Sequence, residues 1–156
     1  MAKRKGLIEK AWSKIAERLV RTVDEAPVSA EVKKDASQSK VAFITTAGVH
    51  LKSDEPFNTD GDHTYRMIPG DAQEEELMIT HTHYDHEHAD QDMNVVFPLA
   101  LMQELVERGV IGSVAPRNYG LMGYIPQINR LISGTGPEMA DALVEDGVDI
   151  CLLSPG

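Results

Sequence analysis

His81, His83, Asp85 and His86 lie in one short run that also holds Tyr84 and His88, so four imidazoles, a phenol and a carboxylate stand within reach of one another. Alternate residues at a strand end point the same way, and neutral imidazole with carboxylate suits zinc or iron. The same side chains could instead line a substrate pocket, where a pair such as His81 and Asp85 holds charged groups or moves a proton. A third reading is a solvated acidic loop, because His, Asp and Glu are ordinary surface residues.

The spacing H-x-H-x-D-H resembles the dinuclear-metal motif of metallo-β-lactamase-fold hydrolases. That chemistry requires further ligands downstream, including another histidine. No histidine follows His88, and Glu87 stands where the motif expects glycine. No metal is therefore assigned to the chain, and a metal-dependent hydrolase is kept only as an alternative.

Positioning such a cluster needs strands that end near it. Val41-Ala-Phe-Ile-Thr-Thr46 is a short apolar run suited to a strand buried on both faces, and it leads into Ala47-Gly48-Val49-His50. Residues 51–73 read as polar and turn-rich, with Asn58, Asp60-Gly61 and Pro69-Gly70-Asp71 as turn signals. Leu77-Met-Ile-Thr80 is a second strand, running directly into His81. Pro98 suits the first turn of a helix whose apolar face is Leu99, Met102, Leu105 and Val106, with Gly109 as its stop. Val110–Ala115 reads as a strand halted by Pro116, and 117–126 as a loop. Thr135-Gly-Pro-Glu138 combines a capping box with proline in the first turn and predicts a helix to Gly147. Val148–Leu153 is the last strand.

Alternating strands and helices predict an α/β fold, a mostly parallel sheet with flanking helices, incomplete at its C-terminus. Ligands in such sheets bind beyond the carboxyl ends of the strands. Ahead of this domain (36–156) the spacing of Ile8, Trp12, Ile15 and Leu19 predicts an amphipathic helical extension over 1–35.

The net charge of −10 excludes a general nucleic-acid binder, which needs clustered Lys and Arg. No apolar run is long enough to span a bilayer, and the charged N-terminus is not a signal peptide. A single cysteine, Cys151, permits no intrachain disulfide and fits a cytoplasmic protein. Mid-strand, it reads as a buried and inert thiol.

Nine segments, in unbroken order from about residue 40, resemble selenoprotein B of the glycine, sarcosine, betaine and D-proline reductases. They are Thr46-Ala-Gly-Val-His50, Phe57-Asn58, Arg66-Met-Ile-Pro-Gly-Asp71, and His81 with Tyr84-Asp85. Asp92-Met-Asn-Val-Val-Phe-Pro98, Gly109–Pro116, Gly120-Leu-Met-Gly123, Thr135-Gly-Pro-Glu138 and Asp146–Gly156 follow. Each is short, and their common register makes the signal specific.

The resemblance implies reductive cleavage of a carbon–nitrogen bond in a small amino acid or amine. It places a selenocysteine just after Gly156, with the chain truncated there and inactive as it stands. It also implies a hetero-oligomer: a partner subunit carrying a pyruvoyl group, and a thiol reductant that restores the selenium. This chain shows no pyruvoyl signature and no cofactor of its own. On the same resemblance His81, Tyr84 and Asp85 are the catalytic candidates, with His81 and Asp85 delivering protons. Arg66 and Arg117 are candidates to anchor a carboxylate, and His50, Asp92 and Asn94 to bind or orient substrate. The residues themselves also permit plainer roles: Arg66 could pair with Asp71, and Asp92 could cap the helix begun at Pro98. A non-catalytic binding or assembly protein is the remaining alternative.

Overall fold

The computed structural model describes residues 30–155. The chain divides into two units, Met1–Glu31 and Val32–Gly156, and every strand and helix named below belongs to the second. The helix expected over residues 8–23 lies outside the described residues.

The first parallel strand, β1 (Lys40–Thr45), is the centre of the sheet. On one side it pairs in parallel with β7 (Ile150–Ser154), from Val41 opposite Ile150 to Thr45 opposite Ser154. On the other it pairs in parallel with two pieces in succession, β5 (Ser113–Val114) and β6 (Arg117–Leu121). An antiparallel strand, β3 (Tyr65–Pro69), closes that side against β6. The α/β class with a mostly parallel sheet is thus as the sequence predicts.

Three local readings need correction. Residues 51–73 are not all turn: Tyr65–Pro69 forms β3, an edge strand with Met67 outward and Ile68 buried. Pro116 does not end the strand it follows. Val41 faces Val114 whereas Ile44 faces Tyr119, so β5 and β6 form one strand interrupted by a bulge. The buried Asn118 side chain repairs the gap, accepting from Phe43 N–H at 2.9 Å and donating to the Ala115 carbonyl at 3.1 Å. Finally, Thr135 caps nothing. Its backbone is already helical, inside a π-turn (Leu131–Thr135) that links the short helix α3 (Ile128–Arg130) to α4 (Gly136–Glu145). A π-turn loosens the usual ladder, which lets Pro137 follow without its N–H.

Helices cover both faces. Val41 and Phe43 of β1 point to one face, where they meet Phe97 together with Leu99 and Met102 of α2 (Leu99–Glu107). The same face carries a separate antiparallel pair, β2 (Val49–Leu51) with β4 (Leu77–Ile79), followed by the short helix α1 (Glu87–Gln91). This pair sits so close that a Cβ on Gly120 would collide with the Val49 carbonyl. Ile44, Tyr119 and Leu121 point to the opposite face, under Met139 and Leu143 of α4. The segment after β1 therefore crosses one face toward β6, while the segment after β6 crosses the other toward β7. Connections leaving adjacent strands toward opposite faces open a crevice at their carboxyl ends.

Candidate functional site

At that crevice the ends of four strands meet. Beyond β1, Thr46 N–H donates to the Ser154 carbonyl of β7 at 3.0 Å, and Gly48 N–H donates to the Leu121 carbonyl of β6 at 2.8 Å. The end of β4 joins them, because Thr80 N–H donates to the Gly48 carbonyl at 2.9 Å. Gly48 turns here with φ of 77°, and any Cβ on it would strike the Thr80 carbonyl. The next residue, His81, is thereby carried onto the lip.

His81 is half-buried and fixed in orientation. Its Nδ1 accepts the His83 backbone N–H at 3.0 Å, so in the neutral ring the proton sits on Nε2. Burial pushes the imidazole below the ordinary histidine range, and the neighbouring His83 and His86 push the same way; a backbone hydrogen bond with Met122 opposes them. Near neutral pH His81 is therefore uncharged, a form that takes up a proton before it can pass one on. Gly123, with φ of 83°, leaves room beside it: a Cβ there would stand 3.4 Å from His81 Nε2 and 2.5 Å from the Thr46 carbonyl oxygen.

Rings surround the imidazole. Tyr84 meets His81 with centroids 4.6 Å apart, and its hydroxyl donates to the Ala47 carbonyl at 2.9 Å, tying the loop to the end of β1. Burial raises the Tyr84 phenol above its usual range, with the Asp90 charge adding to it, so it stays protonated. His83 packs at a tilt on Tyr124, 4.5 Å between centroids.

The other predicted site residues fall elsewhere. Asp85 is exposed and accepts from Glu87 N–H at 3.1 Å at the start of α1. His86 pairs with Asp90 across one helical turn. The H-x-H-x-D-H side chains thus do not converge, and among the described residues no group of three or more His, Cys, Asp or Glu is placed to hold a metal ion. His50 is fully buried in β2, with one ring nitrogen 2.7 Å from the Leu51 carbonyl and the other 2.8 Å from Thr80 Oγ1. Asp92 accepts from both the backbone and side-chain nitrogens of Asn94, beside Glu74 rather than His81.

The two arginines also separate. Arg66 donates to the carbonyls of Glu55, Tyr65 and Pro56 and to Thr64 Oγ1, pairs with Asp62 at 3.6 Å, and lies 4.4 Å over the Phe57 ring. Burial works to raise the Asp62 carboxyl, but bonds from Thr64 and Asn58 and the Arg66 charge outweigh it and hold it low. Arg117 begins β6, at the opposite end of the parallel strands from His81. There it grips Asp146 through Nε at 2.8 Å and Nη2 at 2.6 Å, and Glu145 at 2.8 Å. These bonds hold Arg117 above its ordinary range and Asp146 below its own. Cys151 is half-buried, and burial pushes its thiol up, away from the reactive thiolate.

Sequence reasoning did not single out Thr46, Gly123, Tyr124 and Ser154 as a group. The pair Gly120 and Gly123 was the available signal, since closely spaced glycines mark close backbone approach.

Residues 10–155 match the family glycine/sarcosine/betaine reductase selenoprotein B. The chain belongs to this family. The selenoprotein B resemblance seen in its motifs is thereby shown. A curated relative, D-proline reductase subunit gamma of Acetoanaerobium sticklandii, is 42% identical over 130 residues, covering 83% of this chain and 54% of that protein. The chain thus spans about half the length of the curated relative it matches. No solved structure matches it. No helix among the described residues is long and apolar enough to cross a membrane.

Proposed function

We propose that this chain forms the substrate-side half of a cytoplasmic selenoprotein B-type reductase subunit that cleaves a carbon–nitrogen bond in a small amino acid or amine. The observation that carries the reading is the meeting of β1, β6 and β7 at one lip beside His81. Family membership supplies the reaction class, and the 42% identity to D-proline reductase subunit gamma favours the amino-acid reductases.

The nucleophile in this reading is a selenol on the residue following Gly156, reached directly from the end of β7. Ser154 is already anchored to Thr46 on the lip, so the polypeptide leaving β7 starts beside His81. A selenolate or thiolate there attacks the carbon bearing nitrogen, and the C–N bond breaks as the nitrogen takes up a proton. The nitrogen leaves as ammonia or amine from an open-chain substrate and stays as the amino end of the opened ring from D-proline. A dithiol then supplies two electrons: carbon gains hydrogen, the dithiol becomes a disulfide, and the selenol is restored. Neutral His81 takes the proton released as the selenolate forms on Nδ1, its one basic nitrogen, giving up the bond from His83 N–H, and returns it to the nitrogen of the broken C–N bond. Substrate activation falls to a pyruvoyl-bearing partner subunit, making the working unit a hetero-oligomer.

The test is to purify the subunit with its native partners, measure selenium, and assay D-proline, glycine, sarcosine and betaine with a dithiol. One selenium per subunit and C–N cleavage of one of these substrates, read as released ammonia or amine or, for D-proline, as the ring-opened amino acid, is the expected result. A complex that carries no selenium, and turns over none of them, overturns the reading.

A further inference from the structure

The outer edge of β7 is the least protected surface of the sheet. β7 pairs with β1 along its whole length, and no described strand lies on its other side. Along the sheet, β1 has neighbours on both sides, and β6 lies between β1 and β3. The far edge, β3, carries Arg66 and ends in Pro69, two features that discourage further pairing. β7 reads Ile-Cys-Leu-Leu-Ser, with neither charge nor proline within it.

Ile150 and Cys151 pack against the two cores, but the next two side chains are uncovered. Leu152 lies on the Phe43 face and is 44% exposed; Leu153 lies on the Ile44 face and is 75% exposed. Val144, on the α4 side, is 79% exposed. Apolar groups thus stand open on both faces of one parallel edge strand. Parallel strands are ordinarily covered on both faces and flanked within the sheet.

We infer that β7 is an interior strand of the assembled subunit, and that its outer edge is paired by a further β-strand from polypeptide outside residues 1–156. The occupant follows from length: the segment that matches this chain is only 54% of D-proline reductase subunit gamma, so a relative with the same strands carries nearly as much again. A second copy of β7 would also satisfy the edge, but it would leave that additional polypeptide unaccounted for. The inference rests on the edge and on family membership, and it is independent of the chemistry proposed above.

Replacing Leu153 with the photocrosslinking residue p-benzoylphenylalanine tests it, in the subunit expressed from its own gene in its own host. After irradiation, mass spectrometry identifies the peptide joined to position 153. A cross-link to a peptide of the same subunit outside residues 1–156 is expected. A cross-link into residues 1–156 (a second copy or the same chain), one to another subunit, or none at all overturns the inference. Deuterium exchange gives an independent reading. Within the native subunit the β7 amides that point away from β1 should exchange at least tenfold more slowly than exposed loop amides, and loop-like rates count against the added strand. Selenium content plays no part in either readout, so a failure here is distinguishable from a failure of the reductase reading.

Discussion

Phe43 N–H donates to the side-chain Oδ1 of Asn118 at 2.9 Å, so a side chain occupies a rung of the parallel ladder between β1 and β6. The substitution is forced by Pro116, which brings no N–H to the junction, and by the extra residues of the bulge. Asn118→Ala leaves a buried backbone donor and the Ala115 carbonyl without their partner. An unsatisfied buried group costs about 1–3 kcal/mol. The variant should lose roughly 2–4 kcal/mol by urea denaturation once the small cavity is added. A loss below about 1 kcal/mol would show that β5 and β6 re-pair without the amide.

Gly123 faces a different constraint, because its φ of 83° and the Thr46 carbonyl both exclude a side chain. Gly123→Ala should cost about 1–3 kcal/mol from the backbone alone. Its methyl group would also come into van der Waals contact with the His81 ring, 3.4 Å from Nε2. Shifted His81 resonances in a histidine NMR spectrum should accompany the loss of stability. Unchanged resonances would mean that the lip relaxes around the methyl.

How much of this was legible in the sequence depends on the range of the interaction. β1, α2 and β7 were visible because their apolar runs and the Pro98 and Gly109 punctuation are local. β3 was missed because Arg66 interrupts its apolar pattern and an edge strand needs only one buried face. β6 was hidden by Pro116, whose ordinary meaning is a stop; only the Asn118 amide, acting across 75 positions, overrides it. Thr135-Gly-Pro-Glu138 resembles a helix start, yet packing of the π-turn carries the helix through it. At the site, His81 and Tyr84 were readable as candidates. The convergence of Thr46, Gly123 and Ser154 around them was not, because it arises from strand register. His50 and Arg117 have chemistry-bearing side chains, but the fold turns one into the core and sends the other to the far end of the strands.

His81 gives a pH dependence with a definite sign. Its folded-state pKa lies below the ordinary value of 6.5, so the unfolded chain binds more protons between the two values. The stabilising contribution is present above about pH 6.5 and is lost as the pH falls through the folded-state pKa. Urea midpoints should therefore decline from about pH 7 toward pH 5 more steeply in the native protein than in His81→Gln. An NMR titration placing His81 at or above 6.5 would contradict the burial argument.

Arg66 tests whether the 55–65 loop is held by one side chain. Its guanidinium reaches three carbonyls, a hydroxyl, a carboxylate and the Phe57 ring, a set that a lysine ammonium cannot match in number or plane. Arg66→Lys should lose about 1–2 kcal/mol and Arg66→Ala about 2–3 kcal/mol, each hydrogen bond being worth roughly 1 kcal/mol with partial repair by water. Limited proteolysis should open both variants between Lys52 and Thr64 well before the native protein is cut. If Arg66 served instead to anchor a substrate carboxylate, Arg66→Lys would keep native stability and protease resistance while weakening substrate binding. The network of acceptors around its head group makes the first pattern the expected one.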